Sequence, residues 1–215
     1  MTTTTGKPLQ DDIIDTALSV IAERGFSDSD WEEIAARSDR TVQALRGHIG
    51  DLPDAVLKFL DRVDRQVLSE DAGFTDEDSV KDRLFDLLMR RLDGLAPHRQ
   101  AMVAVSREMR RDPCLAALIG GRELRALSWY LAEAGVSTKG PFGLIRTKGL
   151  GLVWTHAFTV WLDDDSDDFA KTMAVLDKDL SRAGRAAAWI GPRRGGPRRG
   201  EPSHESDGVE AVSPL

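Results

Sequence analysis

The sequence is short of the residues from which covalent and metal-held frameworks are built. Its 215 residues include one cysteine, Cys114, and four histidines. A single cysteine excludes an internal disulfide and a cysteine-based zinc site, and it is typical of a protein from the reducing cytoplasm, where we place this one by expectation. The histidines are scattered without metal-ligand spacing, so the sequence predicts no metal site and implies no cofactor.

Long apolar runs are also missing. The longest uncharged stretch, residues 149–162, has 14 residues, whereas a membrane-spanning helix needs about 20. This stretch therefore predicts a buried core helix. Residues 1–9 contain no apolar run that could serve as a signal peptide, and we expect them to be flexible. A peripheral contact with a membrane stays open.

Strand-like alternation is absent, and so is an excess of positive charge. Apolar residues recur at helical spacing from Gln10 to Leu180, which predicts an all-α fold. The net charge of −7, from 36 acidic and 29 basic residues, argues by itself against nucleic acid as a partner. No nucleophile–base pair, phosphate-binding glycine loop or inward pair of carboxylates stands out, so no catalytic residue is predicted and we expect no enzyme.

The first quarter of the chain predicts four helices. A helix over residues 10–24 is followed by Ser29-Asp-Trp-Glu32, which has the pattern of a capping box for a second, short helix. Thr41 is predicted to cap a third helix, and Asp51 a longer fourth helix that continues to about residue 69. Three short helices and a longer one have the layout of a helix-turn-helix unit, whose third helix enters the major groove of DNA.

These residues resemble the amino-terminal domain of TetR-family regulators over residues 10–62. The matching landmarks are the Ala-Glu-Arg-Gly-Phe close of the first helix, Ile34-Ala35, Leu45, Ile49-Gly50 and Asp51. The resemblance implies a TetR-like fold with a DNA-binding head.

Four residues depart from the family's usual pattern. Asp39 stands in the turn between helices two and three, where the family usually has Gly. Arg46 and Gly47 replace a usual Tyr and His near the end of the third helix. Leu52 replaces a Lys that contacts phosphate at the start of the fourth.

Basic and polar side chains cluster around the third helix, and the resemblance implies duplex DNA, as an operator, for their partner. The candidate DNA-binding residues are Arg37, Arg40, Thr41, Gln43, Arg46 and His48. Between residues 11 and 60, however, eleven acids stand against five bases, a net charge of −6 that opposes phosphate contacts. Two interpretations stay open: a DNA-contacting surface on a dimer, or an inherited scaffold whose arginines are simply solvated.

Residues 78–190 predict a larger helical domain. Within it, residues 127–180 are similar to the carboxy-terminal domain of the Coq-nine family, lipid-binding accessory proteins of ubiquinone biosynthesis. The shared pattern comprises Trp129-Tyr-Leu-Ala132, a Gly-x-Ser-Thr loop, Lys148-Gly-Leu150 and Trp161 to Phe169. That family has a TetR-like fold, so the two resemblances agree. Together they imply a domain that holds a ligand and forms a homodimer through its last two helices.

Aromatic residues at helical spacing in this domain are candidates for holding a hydrophobic small molecule or an isoprenoid lipid. The same pattern also fits a core or a dimer interface. The candidate ligand-binding residues are Trp129, Tyr130, Trp154, Phe158 and Trp161. The acidic run over residues 163–168 is predicted to cap the last helix rather than to bind calcium.

The last 25 residues, 191–215, are rich in Gly, Pro, Ser and charge, and we expect a disordered tail. The preferred interpretation of the whole chain is a homodimeric TetR-family regulator that binds DNA and senses an apolar ligand. The alternative is a Coq-nine-like lipid-binding accessory protein that retains the fold without binding DNA and touches a membrane peripherally.

Overall fold

The computed structural model describes residues 9–166 and 168–190, with side chains described up to Arg185. Over these ranges the chain forms nine α-helices and no strand, which confirms the predicted all-α class. None of the described helices has the length and apolarity needed to cross a membrane. The expected flexible N-terminus (1–9, apart from Leu9) and the expected disordered tail (191–215) lie outside the described residues.

The first four helices have the predicted layout. Thr41 Oγ1 accepts a hydrogen bond from the Ala44 N–H at 3.2 Å, and Asp51 Oδ1 accepts one from the Asp54 N–H at 2.7 Å. Both predicted caps are confirmed, because each short polar side chain satisfies a backbone donor that the helix itself leaves unpaired. The helices are α1 (Leu9–Arg24), α2 (Trp31–Arg37), α3 (Val42–His48) and α4 (Leu52–Ser69).

The prediction of the cap of α2 was wrong by one residue. Asp30, in extended conformation, accepts a hydrogen bond from the Glu32 N–H at 2.7 Å and is the N-cap. Ser29, which the capping-box pattern favours, donates instead to the Gly25 carbonyl at 2.6 Å. The Ser29 hydroxyl is thus committed to the backbone that follows α1, and the next oxygen along the chain caps α2.

Five α-helices and a short 3-10 helix make up the rest of the described residues. A short 3-10 helix, Ala96–His98, precedes α6, which becomes α-helical at Arg99. The helices α8 and α9 pack against each other, α4 contacts both α5 and α7, and α1 contacts α6. The bounds are α5 (Val80–Leu95), α6 (Arg99–Met109), α7 (Pro113–Glu133), α8 (Gly140–Leu162) and α9 (Ala170–Ile190).

One hydrophobic core joins the two predicted domains. It runs from Ile13 of α1 to Leu180 of α9. Helix α4 contributes Phe59 and Val63 to it, so the helix that follows the helix-turn-helix also packs into the larger domain. The predicted core helix is α8, in which Trp161 is fully buried.

The acidic run before α9 acts as the predicted cap. Asp164 Oδ2 accepts hydrogen bonds from the Thr172 N–H at 2.9 Å and from the Thr172 hydroxyl at 2.7 Å. Its other oxygen accepts one from the Ser166 hydroxyl at 2.6 Å. These bonds, that from Ser166 above all, hold the pKa of the Asp164 carboxyl well below its usual range.

Candidate nucleic-acid interface and ligand cavity

The turn between α2 and α3 has the backbone that a helix-turn-helix requires. Asp39 has a φ of +52°, in the left-handed region that favours glycine. The Arg40 N–H donates to the Ala35 carbonyl at 3.0 Å, which closes the turn. Ile34 and Leu45 are buried beneath it and fix the angle between the two helices. The departure from the family at Asp39 therefore changes the residue but not the shape of the turn.

Five of the six candidate DNA-binding side chains lie together on or beside α3, and all five are exposed. The Arg46 guanidinium lies 5.9 Å from the centre of the Trp31 ring, which supports it from α2. By sequence, α3 itself contains no acidic residue. The exposed set is Arg40, Thr41, Gln43, Arg46 and His48.

The sixth candidate, Arg37, is occupied by two carboxylates. Its Nη2 lies 2.6 Å from Glu23 Oε2 and 2.6 Å from Glu33 Oε1. Hydrogen bonds with Glu23 and Glu33 raise the pKa of the Arg37 guanidinium, and the same bonds lower the pKa of both carboxyls. Arg37 thus ties α2 to α1, and its charge is balanced within the protein.

Other acids of the head are also paired. Arg62 Nη1 lies 3.2 Å from Asp11 Oδ1, and the same guanidinium pairs with Asp15. Lys58 Nζ lies 2.7 Å from Asp54 Oδ2 and donates to the His48 carbonyl at 2.7 Å. The excess of acids in the head therefore lies mainly on α1, α2 and the start of α4, and not within α3.

A cavity of about 830 Å³ lies between α4, α6, α7 and α8. Its volume is within the range of small-molecule sites, whose walls are mostly apolar. Two of its wall residues belong to α4, so the helix that joins the head to the larger domain touches the cavity directly. Its apolar walls include Val56, Leu60, Met102, Val105, Trp154 and Phe158.

Two of the five candidate ligand-binding aromatics line this cavity. They are Trp154 and Phe158, whose ring centres lie 5.7 Å apart. Trp161 stacks on Phe158 with ring centres 5.6 Å apart, but it is buried behind the wall.

The two candidates on α7 lie elsewhere. Tyr130 is fully buried, and its hydroxyl donates to Asp64 Oδ1 at 2.7 Å. Trp129 is 45% exposed, lies beside Arg125, and does not line the cavity. Consecutive residues of a helix point about 100° apart, so neighbouring aromatics on α7 cannot share one wall.

A buried ion network that the sequence analysis missed lies beside the cavity. Arg91 is fully buried, with Nε 2.7 Å from Asp64 Oδ1 and Nη1 2.8 Å from Glu123 Oε2. Arg122 Nη1 lies 2.5 Å from Asp64 Oδ2, and its Nη2 lies 2.7 Å from Asp61 Oδ1. The network links α4, α5 and α7 behind the cavity wall.

Mutual pairing keeps this network charged despite its burial. For Glu123, burial alone raises the pKa of the carboxyl, but Arg91 and Arg122 outweigh it and the pKa is lowered. For Arg91, burial alone lowers the pKa, but Glu123 and Asp64 outweigh it and the pKa is raised. The Arg91 guanidinium also lies 4.3 Å from the centre of the Trp154 ring. The charges are therefore in contact with the cavity wall.

A sequence signal for this network does exist. Asp64 follows Leu60 by one helical turn on the apolar stripe of α4, and Arg91 precedes Leu95 in the same way on α5. A charge at a core position of an amphipathic helix is rarely left unpaired. Such positions indicate buried partners, although they do not identify them.

Comparison with solved structures finds the same architecture in bacterial regulators. A TetR transcriptional regulator from Nitrosomonas europaea superimposes with a TM-score of 0.69 and 23% identity, over 83% of this chain and 99% of that one. TetR regulators from Rhodococcus sp. RHA1 and Streptomyces coelicolor give TM-scores of 0.58 and 0.61 with 15% and 14% identity. They cover 82% and 85% of this chain, and 97% and 82% of their own. No family model and no curated protein matches the sequence.

The described residues adopt an all-helical, TetR-like fold. This confirms the predicted fold class, and at these identities the fold is what the comparisons establish. The similarity of residues 127–180 to the Coq-nine family stays a prediction.

Proposed function

We propose that this chain is a DNA-binding transcriptional regulator. The observation that carries the proposal is the exposed, acid-free face of α3 behind an intact helix-turn-helix turn. Arginine is suited to the O6 and N7 acceptors of guanine, and glutamine to the N6 and N7 edge of adenine. Arg40 and Arg46, with Gln43 between them, therefore form a chemically suitable major-groove surface.

The proposed regulator is a homodimer joined through α8 and α9. Helix α8 exposes a row of large apolar side chains, Leu144, Ile145 and Leu152, and Leu152 is 76% exposed. Exposed apolar stripes on a helix are typical of association surfaces. A two-fold dimer gives two recognition helices for two successive major grooves, about 34 Å apart on B-DNA.

The cavity is the proposed sensor of an apolar molecule. Val56 and Leu60 of α4 belong to its wall, and α4 follows the helix-turn-helix directly. A molecule that binds better when α4 takes one position than another shifts the population of head arrangements. Binding in the cavity then changes affinity for DNA.

The test of DNA binding compares two double variants of equal charge change. Full-length protein is titrated onto duplex from the region upstream of its own gene, with fluorescence anisotropy as the readout. Arg40→Ala with Arg46→Ala removes two proposed base contacts and is expected to weaken binding about 100-fold.

The matched control replaces Arg65 and Arg107 by Ala, since both are exposed and lie outside the helix-turn-helix. It is expected to keep binding within about 3-fold of the unaltered protein. Equal effects of the two double variants would overturn the assignment of α3.

A second function is supported by the same cavity. A Coq-nine-like lipid-binding accessory protein needs an apolar site of this size, and Trp154 and Phe158 line it. Mass spectrometry of lipids that copurify with the full chain tests this alternative. Recovery of an isoprenoid quinone, together with no operator binding, would replace the regulator by the accessory protein. Flotation with anionic vesicles tests its peripheral membrane contact.

A further inference from the structure

Glu123 gives the cavity a single acidic anchor. It is the only carboxylate among the described residues that line the cavity, and its side chain is 17% exposed. The other charged wall residues, Arg110 and Lys148, are exposed cations. An otherwise apolar cavity of this kind orients its ligand through a few placed polar groups.

The Glu123 carboxylate has acceptor capacity left. Its Oε1 accepts from Arg91 Nη2 at 2.8 Å and from Arg122 Nη1 at 3.1 Å, and its Oε2 accepts from Arg91 Nη1 at 2.8 Å. An ionised carboxylate offers about four acceptor positions. Among the described residues three are used, which leaves one on Oε2.

The hydroxyls of the α8 wall are already committed. Thr155 donates to the Gly151 carbonyl at 2.8 Å, and Thr159 donates to the Thr155 carbonyl at 2.7 Å. Their protons are thus used within the helix, and Glu123 remains the strongest acceptor that faces the cavity.

Charge balance favours an uncharged partner for this acceptor. The third carboxylate of the network, Asp61, is 45% exposed. The two more buried carboxylates, Asp64 and Glu123, are each already paired with the buried guanidinium groups of Arg91 and Arg122, so Glu123 needs no cation from a ligand. The cations Arg110 and Lys148 in the cavity wall also repel a cationic ligand.

We propose that the ligand is an uncharged, mainly apolar molecule with one hydroxyl group that donates a hydrogen bond to Glu123 Oε2. This inference rests on the proposed ligand-sensing function and specifies its ligand class. A hydrogen bond to an ionised acceptor in a dry site is stronger than one between neutral groups. It also joins the ligand to the network that reaches Asp64 on α4.

The test uses three naphthalene probes that differ in one substituent. Equilibrium dialysis measures binding of 1-naphthol, 1-methoxynaphthalene and 1-naphthylmethylammonium to the full-length protein. The first donates a hydrogen bond, the second has an oxygen without a proton, and the third is a cation. We expect 1-naphthol to bind at least about 10-fold more tightly than either of the others.

Two variants test whether Glu123 is the residue that favours 1-naphthol. In Glu123→Gln, which replaces the charged acceptor by a neutral one, the ratio of naphthol to methoxynaphthalene affinity is expected to fall below about 3. In Glu133→Gln, which makes the same substitution at an exposed residue of α7 outside the cavity, the ratio is expected to stay unchanged. A ratio of affinities within one variant is insensitive to loss of folded protein. The comparison of probes on the unaltered protein also stands if Glu123→Gln does not fold.

Each remaining outcome contradicts a different statement. Equal binding of naphthol and methoxynaphthalene would overturn the hydroxyl-donor inference and leave the sensing function intact. Tightest binding of the ammonium probe would overturn the uncharged class. Binding of none of the three would overturn both the inference and the proposed sensing function. If the ratio of naphthol to methoxynaphthalene affinity is unchanged in Glu123→Gln, Glu123 is not the acceptor of the ligand's hydrogen bond.

Discussion

At the scale of single residues, Asp39 shows how the turn of the head is maintained at a cost. Its φ of +52° puts an L side chain in the left-handed region. Aspartate tolerates this region better than most residues, but the conformation still costs about 1 kcal/mol relative to glycine. The Asp39 side chain makes no hydrogen bond or ion pair with any described residue that would offset the cost.

Replacing Asp39 by Gly is therefore expected to stabilise the protein by about 0.5 kcal/mol, after the greater entropy of unfolded glycine is subtracted. Asp39→Ala keeps the strained backbone and is expected to destabilise it by about 1 kcal/mol. Urea unfolding with an unchanged m-value measures both. A lower midpoint for the glycine variant would contradict the role of the backbone here.

Asp164 predicts a pH-dependent contribution to stability. Its pKa is lowered in the folded state, so its contribution is fully present above the unfolded pKa of about 3.9, begins to fall below that value and is lost as pH falls through the lower folded pKa. Asp164→Asn is expected to lower Tm by several degrees at pH 7 and by less at pH 3, where part of the contribution remains.

Thermal unfolding followed by circular dichroism at the two pH values checks this. Asp165→Asn is the control, because its side chain is 98% exposed. The two variants are expected to differ most at pH 7 and to differ less at pH 3. An equal loss at both pH values in Asp164→Asn would show that shape, and not charge, is responsible.

Single residues also mark the limit of sequence reasoning. The exposed set around Arg40 and Arg46 was predictable, because helix period and cap position place side chains on a face. The pairing of Arg37 with Glu23 was not, since it depends on how α2 crosses α1 and lies across 14 residues of sequence. Trp129 and Tyr130 were assigned to one site, although consecutive side chains of a helix point about 100° apart.

At the scale of elements, two glycines of α8 differ in whether there is space for a side chain. A Cβ at Gly143 would overlap the backbone carbonyl of Thr138, whereas a Cβ at Gly149 would meet no atom within 4 Å. Both lie inside the helix Gly140–Leu162. The close approach at Gly143 is to the loop that leads into the helix, and not to a neighbouring helix.

Gly143→Ala is expected to destabilise the protein by about 2 kcal/mol, because backbone must move to admit the methyl group. Gly149→Ala is its matched control and is expected to stabilise by about 0.5–1 kcal/mol through helix propensity. Chemical denaturation of both variants measures the difference. The same sign for both would show that the contact at Thr138 is easily relieved.

The starts of helices were predictable where the capping hydrogen bond joins residues close in sequence. Thr41 and Asp51 cap the helices they were predicted to begin, since each capping bond spans three residues. The ion network was not predictable in this way. Its bonds from Asp64 reach Arg91 across 27 residues and Tyr130 across 66. Only the packing of α4, α5 and α7 brings these groups together.

At the scale of the whole molecule, the proposed dimer makes Leu152 the most informative surface residue. Leu152→Glu places a carboxylate in the proposed α8–α9 interface of each subunit and is expected to weaken dimerisation at least about 10-fold. Leu118→Glu on α7 is the control, since Leu118 is also exposed but lies outside the proposed interface. Light scattering after size exclusion gives the mass of each.

A dimer that survives Leu152→Glu and dissociates with Leu118→Glu would move the interface to α7. If the unaltered protein is monomeric at micromolar concentration, the proposed dimer with two recognition helices on one duplex is contradicted.

Charge at this scale bears directly on the proposed function. The net charge of −7 and the acidic head oppose binding to phosphate. Acids of α1 are paired with Arg37 and Arg62, whereas Arg40, just before α3, and Arg46, on α3, are exposed. A regulator of this kind is expected to bind DNA with weak non-specific affinity, so its specificity must come from base contacts.

The ratio of specific to non-specific affinity therefore tests the regulator function most directly. It is the Kd of the full-length protein for random duplex divided by its Kd for duplex of the same length from its own upstream region, both at 150 mM salt. We predict a ratio of about 10³ or more, as specific regulators show. A ratio near one would contradict the account and leave a TetR-like scaffold without a DNA-binding role.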